Sequence, residues 1–591
     1  MENKGNFLAA ILLAGLILFG WQYAMGYFYP AAPEEIAGTK ADDLEQSGVT
    51  ESTGSAAQPE VIRPVGQALA ESQRVLIDAP RVRGSINLTG ARIDDLMLKD
   101  HRETLDKDSP PIRLLSPAGT STQHFAQFGW KGEGVETPKS DTVWSANDTT
   151  LTPETPVTLS WANSTGQQFL ITYSIDKDYM ITAEQSFVNN GENNAAVQPL
   201  GLINRTNANA DNDEWTIHSG PIGVFEDAAN FDNDYDDVAE AGRKGVSFAN
   251  NVGWAGFTDI YWLSALIPAD KADNNGVKAN FRAFGEEIFQ SEIVYDKTIV
   301  GAGKTHTTTS KLFAGGKETN VLEAYENAGI PLFSRAIDWG WFRWFAQPMF
   351  HLLDWLFKYI GNFGLAIIAM VFIIRGLMFP IAQKQFKSMA QMRAIQPKMK
   401  KIQERYKDDK QKQQQEIMAL YKKEKANPLA GCLPIFLQIP IFFALYKVLR
   451  LAIEMRHEPF IGWIKDLSAP DPLTPINLFG LIPFDPPALL AIGILPIIVG
   501  ITMWLQFKLN PAPIDPVQQQ VFSIMPWILM FVMAPFAAGL QLYWAVSNLL
   551  TIAQQKWLYS RHPQLKEQMA KEAEEKAREK QRKAAEAEAK G

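Results

Sequence analysis

At 591 residues and 66.0 kDa the chain is too long for one compact core, so a single small domain is excluded. A hydrophobic fraction of 46%, a charged fraction of 20% and a mean hydropathy of -0.13 match an ordinary soluble protein, and such averages hide any local membrane segment. One cysteine, Cys432, and seven histidines scattered along the chain exclude an intrachain disulfide scaffold and zinc centres built on Cys or paired His.

The net charge of -9 is unevenly spread: residues 31–330 hold 23 Lys and Arg against 44 Asp and Glu, and the remainder holds 33 against 21. In chain order, no charge occurs from Gly5 to Pro33, and Phe7 to Tyr27 is a 21-residue apolar run with Trp21, Tyr23, Tyr27, Phe28 and Tyr29 at its far end. This predicts a transmembrane anchor over 1–30 with an aromatic belt, and the run exceeds the ~7 to 15 residues of a cleaved signal's apolar core. Residues 31–73, rich in Ala, Glu, Gly, Ser, Thr and Pro, predict a flexible linker. From 74 to 330 the pattern becomes β-like. Val157–Trp161, Phe169–Ile175 and Tyr179–Phe187 are alternating or β-rich runs, the last two joined by Asp176-Lys-Asp178, and together they predict an antiparallel β-sandwich.

After Pro331, eight aromatic residues from Trp339 to Phe357 alternate with charges and predict an interfacial amphipathic helix over 331–361. A span at 362–381 follows, interrupted by Arg375. Residues 382–427 carry 13 positive against 5 negative side chains. Their apolar positions, Met389 to Tyr406 and Ile417 to Tyr421, recur at three or four residues, which predicts a basic helical hairpin turning near 407–410. Further spans fall at 429–449 and 488–507, separated by a Trp- and Pro-rich loop at 450–487. A loop at 508–520 precedes an apolar stretch from Val521 to Ala553, which as one helix is ~50 Å long against a ~30 Å hydrocarbon core. Pro535 and Gly539 divide it into spans at 521–536 and 537–556, followed by a charged tail at 557–591. The positive-inside rule puts the basic hairpin in the cytoplasm. Six spans then leave both termini cytoplasmic and the acidic β-domain outside.

Arg375 is the one charge between Lys358 and Lys384. Arg in the membrane interior costs at least ~2.5 to 3.5 kcal/mol, so it predicts a polar cavity or a partner, with snorkelling toward Lys384 as the alternative. Gln438, Thr502, Gln506, Gln541, Ser547, Asn548 and Gln554 are polar residues that could line such a pocket or simply join helices. Catalytic and metal motifs fail: Gly303-Lys304-Thr305 has Thr298 where a P-loop needs its first glycine, and Asp232–Asp237 lacks the glycine of a calcium loop.

Arg375-Gly-Leu-Met-Phe-Pro380, Ser388-Met-Ala-Gln-Met-Arg393, Asn427-Pro-Leu-Ala-Gly-Cys-Leu-Pro434, Gln438-Ile-Pro-Ile-Phe442 and Leu542-Tyr-Trp-Ala-Val-Ser-Asn-Leu549 resemble the YidC membrane protein insertase family. The resemblance is specific from about Asp338 to Trp557 and rests on layout alone in the β-domain. It implies a multidomain inner-membrane protein with a periplasmic β-supersandwich and six transmembrane helices, five of them enclosing a hydrophilic groove. It implies no enzymatic activity, metal or cofactor. Arg375, Gln438, Thr502 and Trp544 match the substrate-binding groove, and Leu433, Pro434 and Pro440 fall where substrate helices slide past. Val371, one turn before Arg375, departs from members with threonine there and makes the groove wall more apolar. The implied partners are nascent membrane proteins, lipid, the Sec translocon, and a ribosome or targeting factors meeting the basic hairpin and tail. Two competing classes are an anion transporter or channel built on Arg375 and a tethered carbohydrate binder built on the β-sandwich.

Overall fold

The computed structural model describes residues 62–561 apart from 107, 208–209, 211–216, 270–275, 408, 425–432, 480, 483–490 and 510–515, so the expected anchor at 1–30, most of the linker and nearly all of the charged tail lie outside the described residues. The described chain forms two compact units, one of residues through Arg343 together with Arg450–Glu454, the other of Trp344–Leu449 and the residues from Met455 on.

The first unit is a β-sandwich. Gln168–Ile175 buries Phe169, Ile171, Tyr173 and Ile175 and turns its alternate residues outward, the period-two pattern of a strand with one wet face. It pairs antiparallel with Met180–Asn189, Ile175 opposite Ile181, across a turn in which the Asp176 carboxylate accepts the backbone N–H groups of Asp178 and Met180. An 11-stranded sheet passes edge to edge through the strands that begin at Val246, Lys278, Ile288, Ala195, His124, Arg92, Val82, Arg74 and Thr150, with two side strands; a 9-stranded sheet passes through those beginning at Ala228, Gly220, Val252, Trp262, Lys304, Met180, Gln168, Val157 and Ser145. Aromatic side chains lock the two layers: Trp130 of the first meets Phe169 of the second edge-on at 5.1 Å, and Phe169 meets Phe187 at 4.9 Å. The buried Gln185 side chain donates across the sandwich to the Gly129 and Leu200 carbonyls, at 2.8 and 3.3 Å.

Several strands lack the alternation expected of a one-sided sheet because both faces are covered. Every residue of Val252–Thr258 is buried, and Trp254 donates its Nε1–H to the Pro331 carbonyl and packs on Phe333. Among the described residues three short α-helices punctuate the unit: α1 (Val65–Ala70), α2 (Tyr235–Ala241) and α3 (Thr319–Asn327). The first occupies the end of the stretch read as a flexible linker, where the Arg63 N–H donates to the Gly119 carbonyl and Pro64 stands at the helix N-cap. The acidic run Asp232–Asp237 has a structural use: Asp234 and Asp237 form a capping box that opens α2. Lys304 opens a strand after the left-handed Gly303, so the P-loop-like triplet is a turn between strands.

Where the last long strand gives way to α3, Glu318 gathers distant segments. Its carboxylate accepts from the Tyr179 hydroxyl at 2.7 Å, from the Arg81 guanidinium and from His101 at 3.4 Å. Arg81 also lies over the Tyr179 ring. One residue on, the Thr319 N–H donates to the Glu454 carboxylate at 2.8 Å, which fixes Arg450–Glu454 to the start of α3 in the way a capping acid does.

In the second unit, α4 (Arg343–Ile360) carries the aromatic face expected of an interfacial helix, with Trp344, Trp355 and Tyr359 exposed. That helix starts later than the sequence suggested, because Phe333, Ala336, Ile337 and Trp339 are buried in the β unit. Next come α5 (Phe363–Leu377), α6 (Phe379–Arg405), α7 (Lys410–Lys423), α8 (Leu433–Leu451), α9 (Ile494–Leu509), α10 (Pro516–Met533) and α11 (Ala538–Arg561). No single helix among the described residues is long and apolar enough to cross a membrane. Phe363–Leu377 and Phe379–Phe386 pass that test together but are bent by 57°. The cause is Pro380, which has no N–H to continue the ladder from the preceding helix. α6 and α7 form a hairpin whose core is Ile395 and Met399 against Met392, Ile417, Leu420 and Tyr421, and Asp409 caps α7. α10 and α11 are separated by residues 534–537, at the proline of Ala534-Pro-Phe-Ala537.

Candidate functional site

The polar side chains of the helical unit converge on α11, which packs between α5 and α9. α5 begins with Asn362 capping Leu365 N–H at 3.0 Å and buries Ala366, Ile367, Met370 and Val371. Its last turn carries Arg375, whose charge is favourable at the carbonyl end of a helix. The guanidinium is half-buried and donates from Nε to the Ser547 hydroxyl of α11 at 3.1 Å, with a second donation from Nη2 to the same oxygen. Among the described residues no carboxylate stands within ion-pair distance of it. Two N–H groups sharing one neutral oxygen leave most of the guanidinium's five donors, among the described residues, without an acceptor of matching charge.

One turn earlier on α11, Tyr543 accepts a hydrogen bond at its hydroxyl from Gln438 Nε2 of α8, at 2.9 Å. Tyr543 and Ser547 are four residues apart and therefore share a face. That face carries a polar line from Gln438 through Tyr543 and Ser547 to Arg375, contributed by three helices. The sequence alone does not single out Tyr543, although its spacing to Ser547 within Leu542–Leu549 is a usable signal. Trp544 turns toward α8, meeting Phe442 edge-on at 5.4 Å. Leu433 and Pro434 open α8, and Pro440 lies inside it, where it removes the N–H that would bond the Phe436 carbonyl. Phe436, Ile439 and Phe443 make an exposed apolar stripe along the same helix.

Other polar positions serve the packing of the bundle. Thr502 is buried, donates to the Ile498 and Val499 carbonyls of its own helix, and accepts from the Asn548 amide at 3.1 Å, so its hydroxyl joins α9 to α11. Gln541, fully buried, donates to the carbonyls of Met533, Ala534 and Phe536 and closes the end of α10. Thr502→Val should therefore lower the stability of the full-length protein by about 1 to 2 kcal/mol, because it strands the buried Asn548 amide, as thermal unfolding would measure. Unchanged stability would show that the hydroxyl does not hold α9 to α11.

Two family models match the chain: "YidC periplasmic domain" over residues 74–352 and "60Kd inner membrane protein" over residues 355–567. A membrane protein insertase YidC of Zymomonas mobilis subsp. mobilis is 47% identical over 562 residues, covering 95% of this chain and 96% of that relative. One from Rickettsia rickettsii, strain Sheila Smith, is 43% identical over 572 residues, covering 94% and 99%. Among solved structures, an active YidC insertase crystal structure with the first transmembrane domain resolved covers 84% of this chain and 93% of its own, at 17% identity and a TM-score of 0.36.

Proposed function

We infer the working of the site from one premise: this chain belongs to the YidC family of membrane protein insertases and is a non-enzymatic insertase of the inner membrane, with a β-rich periplasmic domain. The substrate is a nascent membrane protein and the medium is lipid. In this reading Arg375, Gln438 and Trp544 line the surface that receives a substrate's polar flank, with Tyr543 and Ser547 positioning the first two and Thr502 fixing α9 behind them. The convergence of Arg375 and Gln438 on one face of α11 is the observation that carries it. A half-buried cation held by a neutral hydroxyl retains capacity for an incoming carboxylate or carbonyl, which lowers the cost of desolvating a polar segment part-way across the bilayer. The substrate's apolar helix then leaves along the exposed stripe of α8, past Leu433, Pro434 and Pro440. Burying ~20 apolar residues in lipid favours that step, so it requires no nucleotide.

The topology belongs to the same proposal. Six spans place both termini and the basic α6–α7 hairpin in the cytoplasm. The short and bent helices are accommodated by local thinning of the bilayer. The hairpin's excess of Lys and Arg suits an RNA or acidic protein surface, so a ribosome or a targeting factor is its partner, with the Sec translocon as a second assembly site. The test is insertion by the purified full-length protein in liposomes of a substrate with a charged translocated tail, read by protease protection. Protection well above that of empty liposomes, without nucleotide, is expected. Protection equal to empty liposomes contradicts the reading.

A further inference from the structure

Between Asp471 and Asp485 the chain has no charged residue and is rich in Ile, Leu, Phe and Pro. In the structure residues 471–479 and 481–482 rise from a firmly built base. The Asp471 carboxylate is buried and accepts from Trp463 Nε1, from Leu473 N–H and, at 2.7 Å, from Leu495 N–H in the first turn of α9. Two residues before, the Ala469 carbonyl accepts the Ala538 N–H, and the Leu467 carbonyl accepts the Gly539 N–H, at the start of α11. The base is thus fastened to the N-terminal ends of two neighbouring helices of the membrane unit.

Beyond the base the apolar side chains point away from the protein. Ile476, Leu478, Phe479, Leu481 and Ile482 are all exposed, Leu481 by 82%. Leu478 and Phe479 hold φ of 51° and 62°, a left-handed conformation that disfavours side-chain-bearing residues. Hydrogen bonds keep them there: Leu478 N–H to the Pro475 carbonyl, Phe479 N–H to Thr474 and Ile482 N–H to Asn477. The loop is therefore ordered around exposed leucine and phenylalanine instead of collapsing onto them, a use of strain that needs a partner for the displayed side chains.

We propose that this tip is a wedge seated in the bilayer itself, with Ile476, Leu478, Phe479, Leu481 and Ile482 in the boundary between headgroups and acyl chains on the side where α9 and α11 begin. Lipid is the occupant because the loop's base is hydrogen-bonded to the N-terminal ends of α9 and α11, which the topology proposed above puts at that boundary, and because no charge along the stretch opposes burial there. The wedge pins one end of α9 and α11 to a fixed depth, beside the helices that carry the polar face.

The test uses full-length protein with Cys432→Ser and Leu481→Cys, labelled with an environment-sensitive nitrobenzoxadiazole and placed in nanodiscs of phosphatidylethanolamine and phosphatidylglycerol. Ile299→Cys, exposed on the β unit, is the control. At 481 the emission should shift to the blue of the control, brominated lipid should quench it severalfold more than at 299, and aqueous iodide severalfold less. Equal iodide quenching at the two positions, with no lipid quenching at 481, overturns the proposal. Shielding that arises only on adding purified Sec translocon overturns it as well, in favour of a protein contact. Label at Ile476→Cys, expected to give the same pattern, guards against a local artefact at 481.

Discussion

Replacing Arg375 by alanine lowers insertion of substrates with charged translocated tails by about ten- to hundredfold, as expected for loss of about 1.5 to 3 kcal/mol from hydrogen bonds made by a charged group. Substrates whose translocated tails are short and uncharged lose much less, because their polar flank asks little of the site. Arg375→Lys retains most of the activity. The guanidinium donates twice to the one Ser547 oxygen, a contact that an ammonium can make once, and nothing in the protein calls for a bidentate fork. The readout is protease protection in liposomes for the two substrate classes side by side. Equal loss for both classes would mean that Arg375 supports the fold of the bundle, and total loss in the Lys variant would mean that the substrate contact depends on guanidinium geometry.

The second large effect concerns the β unit. Burial alone would push the Glu318 carboxyl upward, but hydrogen bonds from His101, Arg81 and Tyr179, with the Arg81 charge, hold it down at about 2 against an ordinary 4.5. A carboxyl depressed in the folded state stabilises the fold above its unfolded value, and that stabilisation is lost as the pH falls from about 4.5 toward about 2. The difference corresponds to about 3 kcal/mol at neutral pH. Glu318→Gln should therefore lower the unfolding free energy of the β unit by about that amount at pH 7, and flatten the acid dependence between pH 4.5 and 2. Hydrogen exchange of residues 74–343 in the full-length protein, across that range, measures both. A variant with wild-type stability at pH 7 and an unchanged acid slope would mean that the Glu318 carboxylate does not stabilise the β unit.

Sequence periodicity reached those parts of the fold where one face is wet. Phe169–Ile175 alternates because its odd positions face the core and its even ones face water, and Ile395, Met399 and Ile417 recur at helical spacing because two helices share one narrow seam. The strand Val252–Thr258 escaped, because Trp254 is covered by the Pro331–Phe333 turn and both faces are apolar. Aromatic density alone groups Trp339 with an interfacial helix, whereas exposure separates it from Trp344 and Trp355. Arg375 was legible as a charge without a reason to be in an apolar run. The roles of the uncharged polar residues were not, since Gln438, Thr502 and Gln541 look alike in sequence and differ only in what lies across from them: a hydroxyl, a neighbouring amide and three helix-end carbonyls. Arg81 and Glu318 are 237 residues apart, and no local pattern announces their contact.

In the proposed mechanism one face of α11, between Arg375 and Gln438, receives the substrate. A photo-crosslinking residue at position 544 of the full-length protein, with a ribosome-stalled membrane protein as substrate, tests it most directly. The expected result is crosslinks from 544 to the nascent chain that weaken when Arg375 is alanine, and none from a probe at 299 on the β unit. Crosslinking from 299 with none from 544, at every length of nascent chain, would contradict it.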